Sequence, residues 1–145
     1  MLRVAAAVVV ADAEHGPALD AHVLSGQGWV EGAVLLARRR PEKRQGGLWE
    51  LPGGKIEVGE SAAECLEREL DEELGLRVEV GAHVATSVHD YGNGPIALEA
   101  WVCRLVGGTP KTVDHDALAW ALPSALEDFA LAAADVPIAR VLAGR

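Results

Sequence analysis

The chain has 145 residues, half of them hydrophobic and 24% charged, the size and composition of one ordinary globular domain. A formal charge of -9 and a pI near 4.9 exclude the basic character of a nucleic-acid binder and disfavour anionic membranes, so any anionic ligand requires a local cation. Cys65 and Cys103 are the only cysteines, too few and too far apart for a disulfide framework or a zinc site, which points to a reducing, cytoplasmic location.

The opening, MLRVAAAVVVADA, imitates a secretory leader, but its apolar run is short, and Leu2 to Ala11 reads better as a buried first strand. No apolar stretch approaches the ~20 residues of a membrane span. Residues 12–32 form an irregular, glycine-containing excursion with a short hairpin piece expected near Ala21 to Leu24. Ala33 to Arg39 is a second strand. It runs into a basic cluster of Arg38, Arg39, Arg40, Lys43 and Arg44, and GGLWELPGG then supplies turns around a short extended piece. Ser61 to Leu74 is the clearest helix, with a capping box at Ser61 and Glu64 and a left-handed terminator expected at Gly75. Arg77 to His89 and Ile96 to Val106 are strands joined through YGNGP, and GGTPKTVDHD is a loop. A strand near Leu118 to Leu122 precedes two helical segments, PSALEDF and Val136 to Leu142. Trp49 and Trp120 are expected in the core. Strands and helices mix within one domain, residues 1–145, without repeats or linkers.

Eight of the 22 acidic residues fall between Glu57 and Glu73. Glu69, Glu72 and Glu73, spaced i, i+3 and i+4, share one helical face beside an apolar stripe of Ala63, Leu66, Leu70 and Leu74. They also sit at the end of the helix that repels negative charge, a conflict of about 1 to 3 kcal/mol in total. A hard divalent cation resolves it. Carboxylate oxygens are the ligands that Mg²⁺ takes together with water and phosphate, and Mn²⁺ can substitute.

From Gly54, GKIEVGESAAECLERELDEELGL carries glycine, then Glu60, then Arg68, Glu69, Leu70, Glu72, Glu73, Gly75 and Leu76 at the spacing of the Nudix box. The chain is identified as resembling the Nudix hydrolases, which implies an α/β fold: an α/β/α sandwich with a mixed central sheet and the box helix packed on it. The resemblance implies Glu69, Glu72 and Arg68 as catalytic residues, with Glu69 helping to activate water and Arg68 orienting Glu69. The implied metal set is Glu69, Glu72, Glu73, Gly53, Glu60 and Asp114. Glu60 alternatively pins the box loop or starts the helix, and Asp116 or Glu99 could take the place of Asp114, where the family carries a longer glutamate.

Flanking residues from Ala33 to Leu142 resemble the small nucleotide-pool enzymes of the MutT type. That branch turns nucleoside triphosphates into monophosphate and pyrophosphate by water attack at the β-phosphorus, and a cytosine nucleotide is favoured here. It places Arg39 and Arg44 on the phosphates and Asp135 on the base edge, with Tyr91 and His89 as candidates for the base pocket. A basic solvated loop and a helix N-cap at Asp135 are the rival readings. Alternatives at the level of activity are an oxidised-dGTP diphosphatase, a hydrolase of another nucleoside diphosphate derivative such as ADP-ribose, or a non-catalytic module, which the intact box argues against. The expected partner is a small nucleotide, with no nucleic acid or membrane, and the expected state is a monomer or homodimer.

Overall fold

A computed structural model of the chain describes residues 1–22 and 28–145. Nine regular elements follow in order: β1 (Leu2–Val10), β2 (Val34–Arg39), β3 (Trp49–Glu50), β4 (Gly53–Lys55), α1 (Ala62–Leu74), β5 (Leu76–Asp90), β6 (Pro95–Gly108), β7 (His115–Ala121) and α2 (Val136–Ala143). Three short 3₁₀ turns, Pro17–His22, Pro123–Asp128 and Ala133–Asp135, complete the described elements. The middle layer is two sheets rather than one. A mixed sheet has the order β4-β1-β6-β5, with β1 and β6 parallel, and an antiparallel sheet has the order β3-β2-β7.

Alternation along β1 explains its unbroken apolar run. Ala5, Ala7 and Val9 face one core with Leu66, Leu70 and Leu74 of α1, while Ala6 and Val8 face a second core with Ile138, Ala139 and Leu142 of α2. A strand buried on both faces has no polar side to show. The two helices therefore cover opposite faces of the strand layer, the α/β/α sandwich expected. Trp49 and Trp120 are both buried, as expected, with Trp49 edge-on to Phe129 at 5.2 Å.

Helix α1 is bounded as its sequence requires. Ser61 Oγ accepts from the Glu64 amide at 3.1 Å, and Glu64 Oε1 accepts from the Ser61 amide at 3.0 Å. Gly75 ends the helix at φ 67°, where a Cβ would run into the Thr109 carbonyl. The buried stripe is Ala62, Cys65, Leu66, Leu70 and Leu74; Ala63 lies at its margin rather than within it, because the helix is rotated to bury Cys65.

Several boundaries differ from the sequence reading. β7 begins at His115, three residues before the expected start, because His115 pairs with Arg39 beyond a bulge at Asp116 of β7. PSALEDF is helical as expected, in the 3₁₀ form over Pro123–Asp128, opened by Pro123 and ended where the chain turns extended at Phe129. Of the hairpin piece expected at Ala21 to Leu24, Ala21 and His22 end a 3₁₀ turn, and the remainder lies outside the described residues.

Candidate active site

Arg68 organises the acidic end of α1. Its Nε and Nη2 donate to the two oxygens of Glu60 at 2.7 and 2.9 Å, its Nη1 donates to Glu69 Oε1 at 2.9 Å, and Nη2 also reaches the Lys55 carbonyl at 3.3 Å. Glu60 Oε1 further accepts from the Glu57 amide at 3.0 Å. The Arg68 guanidinium holds the Glu60 carboxyl down at about 2, and the same pairing raises Arg68. Both Glu60 oxygens are thus engaged, and the residue pins the loop between β4 and α1.

The three box glutamates occupy different environments. Glu69 is pressed against β4, where a Cβ at Gly54 would overlap its carboxyl; burial raises its pKa against the pull of Arg68. Glu72 is exposed over 57% of its side chain and leans to Arg68 Nη1 at 3.4 Å. Burial raises the Glu73 carboxyl, and the adjoining Asp114 and Glu69 add to the shift. Asp114 itself is held down by the ammonium of Lys43, 3.1 Å away. The two neighbours are thus shifted in opposite directions, Glu73 up and Asp114 down. Glu73 Oε2 is buried without a hydrogen-bond partner among the described residues.

The ligand atoms of Glu69, Glu72 and Glu73 do not converge as tightly as their helical spacing suggests. Among the described residues, only Asp12, Glu14 and His15 bring three such atoms within 4.8 Å of one another, and those make a loop turn in which Asp12 Oδ1 caps the Glu14 and His15 amides. Glu72 leans outward to Arg68, whereas Glu73 adjoins Asp114. The site nevertheless fits a hard cation: its donors are all oxygen, and the buried Glu73 Oε2 is an acceptor left wanting, at a cost of about 1 to 3 kcal/mol. Gly53 lies so close to β1 that a Cβ would strike the Ala5 carbonyl. Of the candidates for the late acid, Asp114 is the one beside Glu73. Asp116 is taken by Arg38 at 2.8 Å and Glu99 by Arg3 at 2.6 Å.

β4 joins this end of the molecule to a cavity of about 580 Å³, lined in part by Arg39, Arg44, Glu50, Lys55, Tyr91 and Asp135. Arg39, Arg44, Tyr91 and Asp135 share one cavity, although 96 positions separate the first from the last in sequence, 39 to 135, whereas His89, the other candidate for the base pocket, is not among its lining residues. Arg39 Nε donates to the Arg44 carbonyl at 2.7 Å, and the Arg44 guanidinium meets the side-chain amide of Asn93 from the β5–β6 turn. Tyr91 Oη accepts from the Ala134 amide at 2.8 Å and stands edge-on to His89.

Asp135 does not cap α2. Its backbone is already helical (φ -80°, ψ -21°), and its Oδ1 instead accepts from the Leu51 amide, 84 residues away, at 2.9 Å. With 6% of its surface exposed, burial pushes the carboxyl up to about 8, with Glu50 adding to the shift and the Leu51 bond opposing it. The sequence reading missed Glu50, Lys55 and Asn93. Lys55 follows the paired glycines directly, a cue that was available; Glu50 and Asn93 gave none, since strand direction and loop approach bring them in.

Residues 28–140 match the NUDIX domain family. The chain is 41% identical over 108 residues to the CTP pyrophosphohydrolase of Escherichia coli, covering 74% of this chain and 80% of that protein. It is 40% identical over 65 residues to an 8-oxo-dGTP diphosphatase of Proteus vulgaris, covering 45% and 58% of the two chains. The solution structure of the Escherichia coli ORF135 protein superposes with a TM-score of 0.75 at 33% identity, covering 99% of this chain and 89% of that one. The chain belongs to the Nudix family and is a hydrolase. Among the described residues, no helix is long and apolar enough to cross a membrane.

Proposed function

We propose that this protein hydrolyses a nucleoside or deoxynucleoside triphosphate, with cytosine the favoured base, to the monophosphate and pyrophosphate in the presence of Mg²⁺ or Mn²⁺. The observation that carries this reading is the continuity made by β4: Gly54 abuts Glu69 at the acidic cluster, and Lys55 lines the cavity beside Arg39, Arg44 and Asp135. A polyanion lying along that line meets cations in a protein whose net charge is otherwise -9.

Glu69, Glu72, Glu73, Asp114 and the Gly53 backbone would hold the cation. When bound, it neutralises phosphate oxygens and acidifies water. The chain's own residues supply the rest. Glu69, raised by burial, is placed to take the proton of the attacking water, and Arg68 fixes its direction. Water adds at the β-phosphorus and the nucleoside monophosphate leaves. Arg39, Arg44 and Lys55 bind the phosphates as charge-assisted donors.

Asp135 faces the base. At neutral pH its carboxyl is chiefly the acid, which donates one hydrogen bond and still accepts, and so complements the N3 acceptor and N4 amino group of cytosine. The ionised form accepts only and suits the N1 and N2 hydrogens of guanine. That titration, with the likeness to an 8-oxo-dGTP diphosphatase, supports oxidised dGTP as the second reading. We further infer a single domain over residues 1–145, active as a monomer or homodimer on a small molecule in the cytoplasm, without nucleic acid. Steady-state kinetics over common and damaged nucleoside triphosphates, with products identified, test this reading. Pyrophosphate with the monophosphate is the expected outcome; release of orthophosphate, or no nucleotide turnover with Mg²⁺, contradicts it.

A further inference from the structure

The β3-β2-β7 sheet carries a polar chain of His115, Glu50 and Arg39, of which the chemistry above uses Arg39 alone. His115, at the start of β7, is 3% exposed, and its Nε2 lies 2.9 Å from Glu50 Oε2. Its Nδ1 is buried with no hydrogen-bond partner among the described residues. Arg39 Nη1 approaches the same Glu50 oxygen at 3.6 Å. Register explains the meeting, since His115 stands opposite Arg39 on β2, and β3 brings Glu50 in from the other side of that strand. Glu50 lines the cavity with Asp135, and its Oε1 has no hydrogen-bond partner among the described residues.

Donation to the Glu50 oxygen places a hydrogen on Nε2, and Nδ1 stays buried without a partner among the described residues. Such an atom costs stability, and an apolar side chain would serve packing better. The return lies at Glu50. Left to itself, a carboxylate beside a guanidinium settles into a two-pronged pair that consumes both oxygens and most of the fork. Here His115 holds one oxygen, Arg39 stays at the looser 3.6 Å, and the second oxygen is left without a partner.

We propose that His115 is a positioning residue of the cavity: its Nε2–H fixes Glu50 so that Oε1 accepts from an N–H or O–H of the bound nucleoside while Arg39 stays available to phosphate. This rests on reading the cavity as the nucleotide site. Loss of the hydrogen bond frees Glu50 to capture Arg39, which weakens nucleoside and phosphate binding together and leaves the water-activating carboxylates untouched.

His115→Gln and His115→Asn separate positioning from mere structure. The glutamine amide reaches the place of Nε2, whereas the asparagine amide is one methylene short. For the preferred triphosphate, His115→Asn is expected to raise KM about tenfold or more with kcat held within about twofold, and His115→Gln to restore most of the loss. The magnesium concentration giving half-maximal rate stays unchanged, which distinguishes the effect from disturbance of the neighbouring Asp114. Wild-type KM in the asparagine variant overturns the proposal, as does equal loss in both variants, failure of both to fold, or a magnesium midpoint that moves with KM. Should the wild type hydrolyse no nucleoside triphosphate, the functional reading falls by itself. Calorimetric titration with cytidine monophosphate without metal then decides this proposal: a loss confined to His115→Asn upholds it, and equal affinities or no binding overturn it.

Discussion

Arg68 grips Glu60 with two parallel hydrogen bonds of 2.7 and 2.9 Å, and a third nitrogen of the same guanidinium holds Glu69 at 2.9 Å. One side chain thereby ties the loop ahead of α1 to the carboxylate proposed to receive a proton. Lysine cannot reproduce this, because an ammonium lacks the planar fork. Arg68→Lys is expected to lower kcat by about 10- to 100-fold, the loss of one or two charge-assisted bonds, while KM changes little. A variant with wild-type kcat removes the positioning role.

The same pair sets an acid limit. Glu60 is depressed to about 2 from an ordinary 4.5, so its pairing contributes fully above about pH 4.5 and is lost as pH falls through about 2. Thermal melts from pH 6 down to pH 2 should show Glu60→Gln less stable than the wild type at the upper end, with the gap closing at the lower end. A gap that is constant with pH contradicts the assignment.

Glu73 presents a trade of stability for function. Its Oε2 is buried without a partner among the described residues, and its carboxyl adjoins Asp114. Glu73→Gln removes the charge conflict and is expected to stabilise the metal-free protein by about 1 kcal/mol, or ~3 °C in Tm. It should also abolish the rise in Tm that Mg²⁺ gives the wild type and most of the turnover. A variant that melts lower without metal and keeps its magnesium response refutes the proposed role.

Asp135 is expected to make both stability and base preference depend on pH. Its folded pKa of about 8 stands above the ordinary 3.8, so the folded state holds the extra proton between those values; the site's contribution declines as pH rises through that window and levels off above it. Asp135→Asn, neutral throughout, should flatten that part of the stability profile. Above about pH 8 it should also keep the cytosine preference that the ionised wild type gives up to guanine, because an amide still offers one donor and one acceptor. An unchanged ranking of substrates would leave Asp135 as a tie to Leu51 alone.

Arg39, Arg44 and Lys55 line the cavity and are the cations proposed to bind phosphate. Arg44→Ala is expected to raise KM for a triphosphate by about tenfold and to affect a monophosphate inhibitor far less. Equal effects on both ligands would place Arg44 away from the β- and γ-phosphates.

The sequence by itself determined α1, with its cap, its glycine stop and its row of glutamates, because these depend on neighbours three or four residues apart and on local backbone sterics. It also determined the family, since the box is contiguous. Only the tertiary structure decided what Asp135 does: a cap by local rules, it is drawn instead to an amide 84 residues away, where burial alters its charge. The meeting of His115, Glu50 and Arg39, and the splitting of the middle layer into two sheets, were likewise settled by strand register. Register is a long-range pairing of backbone groups, and it leaves no periodicity in the residues that it brings together.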